Sequence, residues 1–208
     1  MQAEEKLTYE TWPAEPEKSS LEAKNKFLGF WLFLGGETVL FASLFATYIS
    51  LKDKVPNPSM PHAKDLFELP LTFVATMFLL TSSLTSVYAI YHMKNFAFKK
   101  MMLWFGITIL LGAGFLGLEI YEFSKYVHEH HTFTSSAFGS AFYALVGFHG
   151  GHVAFGLLWC LTLMLRNAKR GLNLYNAPKF YVFSLYWHFI DVVWVFIFTV
   201  VYLMGMVG

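Results

Sequence analysis

Glu37 stands in the middle of a run that is otherwise almost wholly apolar, from Phe27 to Leu51. A bilayer-crossing helix needs about 20 such residues, so this run is long enough. A carboxylate near the centre of such a helix is disfavoured by roughly 2.5–3.5 kcal/mol on insertion scales. It is tolerated if it faces protein or a cavity, or keeps its proton. Three other pairs share this character. His149 and His152 lie three residues apart in one apolar run, and His188 and Asp191 lie three apart in another. Glu119 and Glu122 lie three apart near the end of a third. Spacing of three or four puts each pair on one helical face.

Depth brings several of these groups to one level. Glu37 lies ten residues into its run and Asp191 ten residues into its own from the same side, about 15 Å at 1.5 Å per residue. His149 and His152 enter from the opposite side and also reach mid-membrane. Glu37, Asp191 and one or both histidines are therefore expected to form one hydrogen-bonded cluster, with His188 on the Asp191 face. Such a set could serve as a structural network fixing helix register, as a proton or ion path, or as a metal site built from carboxylates and histidines on facing helices. The metal reading is the weakest, because no Glu-x-x-His motif is present, and no metal is assigned. No catalytic residue is assigned either. The segment His128-Glu-His-His131 could hold a divalent ion, but a solvated loop is the simpler reading. Glu119 and Glu122 form an acidic pair expected to bond to neighbouring helix ends or loops.

The elements that must position these groups are helices. The chain of 208 residues is 56% hydrophobic and 14% charged, against about 25% charged in soluble domains. Five runs can span: 27–51, 69–92, 102–123, 138–165 and 181–205. The fold class is all-α, an integral-membrane bundle of five transmembrane helices over residues 27–208. It is preceded by a polar tail, residues 1–26, expected to be partly disordered. That tail is too acidic for a signal or transit peptide. A net charge of +1 gives no reason to expect nucleic acid as a partner. The single Cys160 excludes an internal disulfide. Trp12, Trp31, Trp104 and Trp187 are expected at the membrane interfaces, with Trp159 and Trp194 deeper. Small residues, among them Gly147 and Gly151 and the run Thr81–Ser86, would let helices approach closely.

An odd number of spans places the termini on opposite sides. Eleven Lys and Arg fall in the tail and the second and fourth loops, against four in the others. The positive-inside rule then gives a cytoplasmic N-terminus and an external C-terminus.

Four motifs carry a resemblance. They are Phe33-Leu-Gly-Gly-Glu37-Thr-Val-Leu-Phe41, Glu119-Ile-Tyr-Glu122, Gly147-Phe-His-Gly-Gly-His-Val153 with Gly156, and Tyr186-Trp-His-Phe-Ile-Asp-Val-Val-Trp194 followed by Val201-Tyr202. Over nearly its whole length the chain resembles subunit III of the haem–copper respiratory oxidases, in the five-helix form of Bacillus-like bacteria. The resemblance implies an accessory subunit of a proton-pumping terminal oxidase that reduces oxygen to water in the bacterial plasma membrane. It implies direct packing on subunit I, with subunit II and a small subunit IV as further partners. Haem and copper would be held by partner subunits, with no cofactor in this chain, and phospholipid would be bound. It also implies support of proton uptake and protection of subunit I. Glu37 falls on the family's buried, carbodiimide-reactive glutamate. Longer members have two further N-terminal helices, which form one wall of a lipid cleft. The electron donor would be cytochrome c, with a menaquinol oxidase as the alternative. A proton-coupled transporter using Glu37 and Asp191 is the reading from another class, disfavoured because no internal repeat is visible.

Overall fold

In the computed structural model the described residues are 11–51, 69–128 and 137–203. Among them the regular structure is wholly helical: α1 (Leu21–Leu51), α2 (Leu69–Lys94), α3 (Phe98–His128), α4 (Ala137–Asn167) and α5 (Ala177–Ile197). A wider π-helical stretch, Phe198–Leu203, continues α5. Five helices among these residues are long and apolar enough to cross a membrane. Residues 52–68, 204–208 and the His-rich stretch after His128 lie outside the described residues.

Several helices begin before their apolar runs, because caps and turns set a helix start while hydropathy marks only the buried stretch. α1 begins six residues before Phe27. There the Ser20 hydroxyl accepts the Ala23 N–H at 3.1 Å and satisfies a first-turn donor. α5 starts with Pro178 in its first turn, where no N–H is needed. Just before it, the Asn173 side chain accepts the N–H groups of Tyr175 and Asn176 at 3.1 and 2.8 Å. The turn between α2 and α3 is shorter than the expected loop. The N–H of Ala97 reaches back to the His92 carbonyl at 2.9 Å and that of Phe96 to Met93 at 3.1 Å, a helix-ending pattern usually completed by glycine. Phe96 takes the left-handed position itself, with φ of 54°.

The tail residues that are described are docked rather than loose. The Trp12 ring packs on Phe96 with centroids 4.9 Å apart. Glu17 is buried and its Oε1 lies 3.1 Å from Lys94 Nζ. These contacts clip the chain before α1 over the α2–α3 turn and hold Phe96 in its unfavourable conformation. Trp12→Ala should loosen the clip by about 1–3 kcal/mol, less than a full core truncation. Protease cutting near Phe96 in detergent-solubilised membranes checks this; a cutting pattern unchanged from the parent would count against it.

α5 is the centre of the bundle, touching α1, α2 and α4 along its length. α3 completes its surroundings, with Phe105 stacked on Phe180 at 5.4 Å and Phe115 edge-on to Trp194 at 4.7 Å. Trp187, expected at an interface, is instead fully buried in the bundle. Its indole N–H donates to Ser82 Oγ at 2.9 Å, so its place is set by a hydroxyl on α2 and not by the membrane surface. α1 is the least covered helix and leaves Leu28, Trp31, Leu32 and Val39 exposed by its own chain.

Candidate functional site

The polar groups are distributed among four places, not gathered in one cluster. The first joins α1 to α4. Glu37 Oε2 lies 3.0 Å from His152 Nε2, with 16% and 19% of the respective side chains exposed. His152 Nδ1 lies 2.7 Å from the Phe148 carbonyl. A carbonyl only accepts, so Nδ1 carries a hydrogen. The Glu37–His152 contact then holds one proton, on either oxygen or nitrogen, and the pair is neutral overall in both forms. That is how a carboxyl is accommodated at mid-span. Phe41 packs on the imidazole at 5.2 Å, and the Tyr186 hydroxyl donates to the His152 carbonyl at 3.0 Å. An apolar groove of about 650 Å³ adjoins the pair, with Gly147 and Gly151 on its wall.

The second place joins α2 to α5. The Ser83 hydroxyl lies 2.6 Å from His188 Nδ1, and Ser184 lies 3.4 Å from His188 Nε2 and 2.9 Å from Ser86. Asp191, 5% exposed, lies beside Ser83 on this interface. Neither of its oxygens has a well-formed hydrogen bond among the described residues. Asp191 therefore belongs with His188 and is not joined to Glu37. The reason is rotational: the α1 face that carries Glu37 meets α4, while α5 turns Asp191 towards Ser83 on α2.

His149 forms the third. It is fully buried, stacked on Trp194 at 5.0 Å and edge-on to Phe115 at 6.0 Å. Neither ring nitrogen has a hydrogen-bond partner among the described residues, so His149 and His152, neighbours on one face, have different company. The fourth is the acidic pair on α3. Glu119 packs against the bare backbone of Gly150, where a Cβ would stand 3.0 and 3.1 Å from its oxygens. Glu122 accepts from Thr72 at 3.3 Å, near the start of α2, and from Tyr202 at 3.5 Å, in the widened end of α5. Among the described residues no group of three or more His, Cys, Asp or Glu is placed to hold a metal ion.

From the sequence only the run Thr81–Ser86 was read, as small residues for close approach, yet among the described residues the hydroxyls of α2 supply most of the side-chain hydrogen bonds between helices. Besides those above, Trp194 Nε1 donates to Thr76 Oγ1 at 3.0 Å and Thr85 meets Thr108 at 2.7 Å. A signal was present: Thr72, Thr76, Ser82, Ser83, Thr85 and Ser86 recur at helical spacing against a facing helix rich in Trp and His. Because neither Asp191 oxygen has a well-formed hydrogen bond and an amide oxygen can still accept from Ser83, Asp191→Asn should leave stability unchanged or raise it by up to about 1 kcal/mol. Thermal release of this chain from solubilised membranes measures it; a large loss would mean that the carboxylate has a partner.

These helices match known proteins. A family model described as cytochrome c oxidase subunit III matches residues 21–206. The chain is 80% identical to a cytochrome c oxidase subunit 3 of Bacillus sp. (strain PS3) over 209 residues, covering 100% of both chains. It is 75% identical to one of Bacillus subtilis (strain 168), again over 100% of both. A quinol oxidase subunit 3 of Bacillus subtilis (strain 168) is 46% identical, over 94% of this chain and 95% of its own.

Proposed function

The chain belongs to the cytochrome c oxidase subunit III family, and we propose that it serves in a proton-pumping terminal oxidase of the bacterial plasma membrane that takes electrons from cytochrome c. It is a multi-pass membrane protein and an accessory component of the oxidase, not the catalytic part. The observation that carries the choice of donor is the level of identity: 80% to a relative named for cytochrome c, against 46% to one named for quinol. The four motifs and the five spans fit the same reading, and a transporter has no support beyond the isolated acids.

In this reading haem and copper belong to partner subunits, and this chain binds no redox centre. Subunit I is the direct partner, with subunit II and a small subunit IV in the complex. The uncovered apolar face of α1, from Leu28 to Val39, needs a cover of partner helices or lipid. Phospholipid is a candidate occupant of the groove beside Glu37 and His152. The lysine-rich end, which gathers Lys26, Lys94, Lys99 and Lys179, faces the cytoplasm by the positive-inside rule. The role of the chain is to hold subunit I in a form that keeps taking up protons through many turnovers.

Purified complex should consume oxygen with reduced cytochrome c and show the copper band of a CuA centre on its second subunit. Turnover with menaquinol and none with cytochrome c would move the chain to the quinol branch.

A further inference from the structure

A groove of about 300 Å³ lies between α2 and α5, beginning at Tyr91, Lys94 and Tyr181 and ending on Ser184 and His188. Ser83 lies eleven residues up α2 from Lys94, about 16 Å at 1.5 Å per residue. The groove thus runs from the lysine-rich end towards mid-span. Its inner end is polar: His188 contacts Ser184 through one ring nitrogen and Ser83 through the other. Beside Ser83 stands the Asp191 carboxyl, buried and with no well-formed hydrogen bond among the described residues. Three residues further along α5, the Trp194 ring packs edge-on with Phe115. A buried polar network that ends on an acid without a well-formed hydrogen bond is suited to binding and releasing a proton.

We propose that the groove is a water-filled inlet, open at the lysine-rich end, through which the Asp191 carboxyl exchanges its proton by way of His188 and Ser83. A proton arriving at His188 Nε2 makes the ring cationic. His188 then passes its Nδ1 proton to Ser83 Oγ, while the Ser83 hydroxyl proton goes to an Asp191 oxygen. One proton has moved, His188 is neutral again and Ser83 is unchanged; release reverses the steps. Of the other buried titratable groups, His149 is stacked on Trp194 and Glu119 packs against Gly150, each without a hydrogen-bond partner among the described residues, and Glu122 accepts from Thr72 and Tyr202. Lys94 is paired with Glu17 at the mouth beside Tyr91 and Tyr181, and Glu37 holds His152 on the α1–α4 side. The inlet rests on the oxidase reading only for the sample in which it is tested, and a haem spectrum of that sample checks the reading separately.

The test uses assembled oxidase in sealed vesicles. In a Cys160→Ala background, single cysteines Tyr91→Cys and Ser184→Cys are exposed to a cationic, membrane-impermeant methanethiosulfonate. The proposal expects both to be modified, from the same side of the membrane. An unmodified Ser184→Cys overturns it, whether or not Tyr91→Cys reacts. In infrared spectra, the carboxylic C=O band that Asp191→Asn removes should shift on transfer to D2O, and more slowly in Ser83→Ala. Absence of such a band, or a band that does not shift, also overturns it.

Discussion

Gly156→Val and Gly112→Val should each prevent stable assembly of the bundle. A Cβ at Gly112 would stand 2.7 and 2.9 Å from the Trp187 ring and 2.9 Å from Leu157. One at Gly156 would stand 2.9 Å from the same ring and 3.0 Å from Tyr186. The indole is thus held between two helices that must come within backbone distance, and both glycines are spaces the ring fills. Overpacking of this kind costs about 1–3 kcal/mol. Moving the ring also breaks its bond to Ser82, a further loss of about 0.5–1.5 kcal/mol. The two effects act at the helix that the rest of the bundle packs around. The amount of this chain retained in purified oxidase measures the outcome, with Gly117→Val on α3 as a control, since nothing lies within 4 Å of a Cβ there. Retention equal to the control would mean that Trp187 is not the fixed point of the fold.

The second large effect concerns Glu37 and His152. His152→Leu leaves a carboxyl at mid-span with its bonding partner removed, and should lower stability by about 1–3 kcal/mol. Glu37→Leu/His152→Leu should recover part of that loss, because two apolar groups in lipid leave nothing unbonded. Glu37 and Asp191 should instead behave additively, to within about 0.3–0.5 kcal/mol, because they belong to different interfaces. A double-mutant cycle on thermal dissociation of the subunit reads both couplings. The initial rate of oxygen reduction should change little in the Glu37 and His152 variants, since the pair fixes helix contact and carries no redox chemistry. Additivity of Glu37 with His152, or a strong coupling of Glu37 with Asp191, would contradict the geometry.

The five spans were legible because hydropathy and length decide a transmembrane helix almost alone. Their starts were not, because Ser20, Asn173 and the left-handed Phe96 act through local hydrogen bonds that leave hydropathy unchanged. Glu37, Asp191 and the histidines were also legible as candidate polar groups, because ionisable side chains stand out inside apolar runs. Their grouping was not: the rotation of each helix about its axis decides which of them meet. α1 turns Glu37 onto His152, while α5 turns His188 and Asp191 onto Ser83. The family was legible from Trp187-His-Phe-Ile-Asp191 and its companion motifs, which combine a deeply placed acid, imidazoles and indoles in a pattern that hydropathy alone does not demand.

Purification through a tag at the N-terminus in mild detergent, followed by an optical spectrum and identification of the partners, tests the central claim most directly. The account predicts haem a bands and two larger subunits travelling with this chain, with a covalently bound haem c if cytochrome c is the donor. A colourless chain purifying alone, from a preparation shown to keep membrane complexes intact, would contradict it.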